Sequence, residues 1–152
     1  MRLSLISVVT IAIWGFSFLV VSEGRAQSPN ECLSKYTKFD VCAAAQELQS
    51  HMAQSLPLRM NSEMSIISAF ATGSRVGMMA IWDLTQMDLQ ARLIANKMNQ
   101  EQLIAAVEKH TQNIMCSQES TAAFIRLGGQ LQFKYQTTDG FAIASPLVVA
   151  CP

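Results

Sequence analysis

The segment IMCSQESTAAFIRLGGQLQFKY, residues 114–135, passes from helical spacing into strand alternation. Ala122, Ala123 and Ile125 fit a short helix that Ser117 or Ser120 can start and that Gly128-Gly129 stops. Beyond the glycines, Leu131, Phe133 and Tyr135 alternate with Gln130, Gln132, Lys134 and Gln136, as in a strand with one face buried. A helix that gives way to a half-exposed strand makes the chain α+β. The cysteine at the head of the segment, Cys116, asks what such a residue is for.

Downstream, a hairpin suggests an answer. If Thr138-Asp139-Gly140 is a three-residue loop with Gly140 in the left-handed region, Tyr135 pairs with Ile143, Leu131 with Leu147 and Leu127 with Cys151. Cys151 then shares the core parity of Phe141, Ile143, Leu147 and Val149. A helix ending near Cys116 and packed on that face presents its thiol to Cys151. Pro146 has no amide hydrogen to donate, so the last strand lies at an edge or carries a bulge.

Upstream, Asn99 is an N-cap with Gln102 three residues on, and Leu103, Ala106, Val107, His110 and Ile114 mark one helical face running to Cys116. The stretch from Gln86 to Lys97 fits strand and helix alike, through Met87, Leu89, Ala91 and Leu93 or through Leu89, Leu93 and Lys97. From Glu63 to Phe70 the residues alternate, with Met64, Ile66 and Phe70 on one side. Val76, Met78, Ala80, Trp82 and Leu84 repeat that alternation after Thr72-Gly73-Ser74. A three-residue loop sets Phe70 opposite Val76 and Ile66 opposite Ala80, which puts both apolar sets on one face. Met79 and Ile81 then face the other way and are the candidate binding residues. Either residues 86–97 cover them or their face is a groove. An earlier helix spans Phe39 to Ser55, with Val41, Ala44, Ala45, Leu48 and Met52 at helical spacing and Pro57 beyond its end. The expected architecture is a small antiparallel sheet of two β-hairpins packed on two or three helices.

The N-terminus sets the compartment. Arg2 precedes an apolar run from Leu3 to Val21, and Gly24-Arg25-Ala26 supplies small residues where a signal peptidase cuts, so residues 1–26 read as a signal peptide. The run approaches bilayer-spanning length, which makes an uncleaved anchor the competing reading. Ser4, Ser7 and Thr10 and the small-residue end favour cleavage. No cysteine stands at the cleavage point, and Ser28-Pro29-Asn30-Glu31 before Cys32 is no lipidation box, so no lipid anchor is expected. Residues 27–152 then form a single periplasmic or secreted domain.

Four cysteines, Cys32, Cys42, Cys116 and Cys151, fall in that domain, and an even count in an exported chain points to disulfides. Three pairings are possible. Cys32 with Cys42 and Cys116 with Cys151 is favoured because each bridge stays within its own segment, contributing about 3 and 4 kcal/mol on the loop-entropy model.

Several features in order resemble the α/β pilotins of type II secretion. They are Leu56-Pro57 after a helix, a β-hairpin, a helix ending in Met115-Cys116, a short helix, Gly128-Gly129, Leu131-x-Phe133-x-Tyr135, Asp139-Gly140 and a terminal Cys151. The resemblance spans Val41 to Cys151. It implies a disulfide between the two matching cysteines and a protein that binds a short C-terminal segment of the secretin subunit and escorts it to the outer membrane. Those pilotins are lipoproteins, and this chain departs from them in lacking a lipidation cysteine and in carrying Cys32 and Cys42.

The remaining chemistry is sparse. Without Arg2, Arg25 and Glu23, nine basic and ten acidic residues remain, and no basic stripe suggests nucleic acid. His51 and His110 are the only histidines, and neither has a second ligand at metal spacing. Glu101 with Glu108, or Asp83 with Asp88, could form carboxylate pairs, although solvated surfaces need such residues anyway. Gly128-Gly129 lacks phosphate-loop spacing. Eight methionines beyond Met1 serve to fill core gaps or to line an adaptable groove. No cofactor and no enzymatic activity are expected. The sequence instead suggests a chaperone-like accessory protein that binds a peptide of an envelope or secretion-system component. The alternative is an inhibitor or immunity protein that plugs a periplasmic hydrolase. A plug needs a long polar loop, and none is present.

Overall fold

The computed structural model describes residues 32–152. The expected signal peptide, residues 1–26, lies outside the described residues. In chain order the elements are α1 (Val41–Gln54), β1 (Leu58–Asn61), β2 (Met64–Thr72), β3 (Arg75–Trp82), α2 (Gln86–Ala95), α3 (Gln100–Ser117), α4 (Glu119–Arg126), β4 (Gln130–Thr137), β5 (Ala142–Ala144) and β6 (Leu147–Val148). The fold is α+β. One six-stranded sheet runs β1-β2-β3-β4-β5, with β6 also paired to β4. No helix among the described residues is long and apolar enough to cross a membrane.

The sheet is mixed where an antiparallel one was expected. β3 and β4 pair in parallel, with Val76 opposite Leu131, Met78 opposite Phe133 and Ala80 opposite Tyr135. The reason lies in the connection. Three helices, α2 to α4, separate the two hairpins, and a helical crossover brings the chain back to start its next strand in the same direction. With α1 the described residues hold four helices, more than the two or three expected. The open segment 86–97 is mostly helix, and it is fixed at its N-terminus by a capping box. Thr85 Oγ1 accepts from Asp88 N, and Asp88 accepts from Thr85 N at 3.1 Å.

Both hairpins carry a bulge that alternation did not disclose. In the first, Thr72 pairs with Arg75 across the two residues Gly73-Ser74, not across three, and Phe70 pairs with Gly77 instead of Val76. A two-residue turn alone would put the apolar sets on opposite faces, but Ile67 is inserted between Ile66 and Ser68 and shifts the register by one. Ile66 therefore still meets Ala80 on the core face, whereas near the turn Ala69 and Ala71 take the inner positions. Phe70 is on the outer face and 41% exposed. Its ring lies against Gly77, where an added Cβ would stand 2.1 Å from the ring edge.

The second hairpin has its expected three-residue loop, with Thr137 N donating to Phe141 O at 3.0 Å and Gly140 at φ +83°. A register shift follows at Ile143, so Tyr135 pairs with Ala144 and Leu131 with Val148, each one residue past the expected partner. Val148 is consequently buried, while Leu147 and Val149 are exposed, reversing the expected parity of this strand. Pro146 falls between β5 and β6, and Phe133 N donates to its carbonyl at 3.0 Å. The N-cap of the short helix α4 is Gln118, which makes no side-chain cap bond, so neither Ser117 nor Ser120 serves as its N-cap.

All four helices feed one apolar cluster on a single face of the sheet. Val41 and Ala45 of α1, Leu89 of α2, Leu103 and Met115 of α3, and Phe124 and Ile125 of α4 join Val76, Met78, Ala80, Leu131 and Phe133. Two disulfides fasten the rim of this layer. Cys116–Cys151 ties the end of α3 to the C-terminal strand segment, and Cys32–Cys42 ties the N-terminal loop to the first turn of α1. At that turn Asp40 caps α1 by accepting from Ala43 N at 3.0 Å.

Candidate binding groove

The apolar stripe of α3 is wider than the core requires. Its buried seam runs through Leu103, half-buried Val107, Thr111 and Met115 at four-residue intervals. The stripe expected from sequence, Leu103, Ala106, Val107, His110 and Ile114, is rotated from that seam and leaves Ala106 and His110 exposed. These five residues form one wall of an open cleft of about 500 Å³. The opposite wall is the β1–β3 end of the sheet, through Met60, Met64 and Trp82, with Asn61 as its one polar side chain. Trp82, expected in the core, is half-buried because it borders this cleft.

At the bottom of the cleft lie Thr111 and Tyr135, 2% and 6% exposed. Thr111 Oγ1 donates to Val107 O at 2.8 Å and lies 3.0 Å from Tyr135 Oη. The Tyr135 ring stacks on Phe133 with centroids 5.7 Å apart, which fixes the phenol. Burial pushes the Tyr135 pKa above the usual phenol value, partly offset by the bond to Thr111, so the group is a neutral hydroxyl at any physiological pH. Among the described residues no carboxylate, lysine or arginine lines the cleft; His110, at its rim, is the one titratable side chain besides Tyr135. Thr111 and Met60 carried no signal in the sequence beyond the breadth of the α3 stripe and the excess of methionine.

Met79 and Ile81 stand on the other face. They are half-buried, flanked across the strands by Ser68 and Lys134 and by Ser65 and Gln136. Residues 86–97 do not cover them: α2 turns Leu89 into the helix-side cluster near Leu84. Ile81 and Ile67 border a smaller hollow of about 250 Å³, which also has Arg59, Glu63 and Asp83 on its wall. That hollow is charged where the cleft beside α3 is apolar.

The other residues with chemical potential are dispersed. His51 is 3.8 Å from Glu47 on the exposed side of α1. Glu101 and Glu108 are exposed on α3, and Asp83 is exposed while Asp88 is occupied by the α2 capping box. Cys32, Asp40 and Cys42 lie together, but both sulfurs are in the disulfide and Asp40 caps α1, so the trio has no free thiolate for a metal.

No protein-family model and no curated protein sequence matches the chain. Solved structures do share its fold. The type II secretion pilotin EpsS of Vibrio vulnificus superposes with a TM-score of 0.57 at 14% identity, covering 72% of this chain and 88% of the pilotin. A protein of Pseudomonas aeruginosa described as secreted superposes at 0.56 with 11% identity, over 72% of this chain and 89% of its own. The pilotin-like fold suggested by the sequence is thus the fold observed.

Proposed function

We propose that the protein is an exported, non-catalytic accessory protein of the cell envelope. Its cleft between α3 and the β1–β3 end of the sheet holds a short apolar peptide segment of a secretion-system or other envelope component. One observation carries this reading: an apolar wall of α3 faces Met60, Met64 and Trp82 across an open cleft instead of packing against them. Its volume is that of a ligand site, in the range of roughly 300–1,000 Å³. Flexible methionines on its wall suit a peptide whose side chains must be fitted along a line. Two disulfides agree with export into an oxidising compartment, and the fold shared with the Vibrio vulnificus pilotin supports an accessory role.

Site-specific photo-crosslinking in the cell of origin tests the reading. A photoreactive side chain at Ala106, exposed on the cleft wall, should attach to one peptide segment of an envelope protein, and the same group at Met79 should not. With the photoreactive group kept at position 106, His110→Arg, an exposed change on the same wall, should keep the melting temperature and abolish that adduct. Crosslinking from Met79 alone would move the partner to the open face of the sheet and overturn the assignment.

A further inference from the structure

The buried hydroxyl pair at the bottom of the cleft has a determinable proton order, and that order specifies the ligand. Thr111 has one hydroxyl hydrogen, and the carbonyl of Val107, 2.8 Å away, takes it. The hydrogen shared between Thr111 and Tyr135 must then come from the phenol. The reverse assignment would leave the phenolic hydrogen without an acceptor among the described residues, on a side chain only 6% exposed. The chain of donation runs from Tyr135 to Thr111 to Val107. Tyr135 Oη therefore keeps acceptor capacity, with no donor directed at it from the described residues.

Building on the reading of the cleft as a peptide site, we propose that it selects an apolar segment interrupted by one neutral hydrogen-bond donor, which is received by Tyr135 Oη. A serine hydroxyl, an asparagine amide or an indole N–H has the required chemistry. A lysine or arginine does not, because a cation there would be desolvated with no carboxylate on the cleft wall. A ligand apolar throughout would fill the volume and leave the acceptor lone pair of the phenolic oxygen dry and unpartnered.

Two small probes of nearly equal shape separate donor recognition from apolar filling: indole, which carries an N–H, and benzothiophene, which does not. Titration of the purified protein, followed through the amide resonances of Val107 and Thr111, should show indole bound roughly three- to tenfold more tightly, the ordinary worth of one neutral hydrogen bond. Tyr135→Phe keeps the stacked ring and should bind the two probes equally. Thr111→Val removes the acceptor of the phenolic hydrogen and turns Tyr135 into a donor, so benzofuran, whose ring oxygen accepts, should gain on benzothiophene. Equal affinity of indole and benzothiophene for the unmodified protein, or a preference that persists in Tyr135→Phe, overturns donor selection while leaving the groove standing. Failure of both probes to perturb the cleft overturns the groove as well.

Discussion

Ile67 and Ile143 are single residues that decide what whole strands display. Each is associated with a register shift, and beyond it the inward set changes parity: Phe70 is turned out and Val148 in. Residue alternation reveals a strand but not an inserted position, because a bulge needs no special residue type. Hence Met64, Ile66, Val76 and Met78 were legible and Phe70 was not. The outward Phe70 has a local consequence at Gly77. Gly77→Ala would put a methyl group 2.1 Å from the ring and should cost about 1–3 kcal/mol by overpacking. In a Phe70→Ala background the same substitution should be neutral or stabilising, since alanine restricts the unfolded chain. Denaturant unfolding of the four proteins in this cycle checks the coupling; equal costs in both backgrounds would remove Phe70 as the reason for the glycine. The cysteines give a second comparison. The bridges close loops of 10 and 35 residues, so Cys116→Ala should lower stability more than Cys32→Ala, by about 1 kcal/mol on the entropy model. A reversed order in chemical denaturation would mean that the N-terminal loop does more for folding than loop length implies.

Individual elements are held by contacts that sequence reveals unevenly. The capping box of α3, Asn99 with Gln102, was readable because both partners lie within four residues, and both bonds form at 2.8 and 2.9 Å. The anchoring of α2 was not, since it depends on Asp139, whose carboxylate accepts from Gln86 N at 3.1 Å across 53 positions of chain. Asp139 also takes a hydrogen bond from Thr137, and Asp88 takes one from Thr85, so each carboxyl has its pKa lowered first by that side-chain bond. The sign follows. A carboxylate with a depressed folded pKa stabilises above its unfolded pKa, about 3.9 for Asp, and loses that contribution as pH falls through the folded value. On acidification below about pH 4, α2 amides should lose hydrogen-exchange protection before those of β3 and β4. Asp139→Asn should weaken α2 protection at neutral pH and flatten its pH dependence. Protection of α2 that is independent of both pH and Asp139 would show that Leu89, and not the carboxylates, holds the helix.

At the scale of the whole molecule, the helices crowd one face of the sheet and the other face remains open among the described residues. The sequence made both hairpins, the first helix and the last two helices visible, because each is written in local periodicity. It could not show that β3 lies beside β4: partnership between strands more than 40 positions apart is set by how α2, α3 and α4 cover the sheet, which local pattern does not encode. The same layering decides which apolar residues are structural. Met78 is 2% exposed beneath the helices, whereas its neighbour Met79 is half-buried on the open side between Ser68 and Lys134. A charge at Met78 would be desolvated without a partner, and Met78→Glu should cost several kcal/mol, enough to unfold a domain of ordinary stability. Met79→Glu keeps its carboxylate within reach of water and beside Lys134, so its cost should stay near or below about 1 kcal/mol. Ile81→Glu, flanked by Ser65 and Gln136, should behave like Met79→Glu. Thermal unfolding of the three variants reads the difference directly. Losses at Met79 and Ile81 as large as at Met78 would mean that this face is covered in the folded protein, while small losses with an intact Ala106 crosslink would leave partner binding to the helix side.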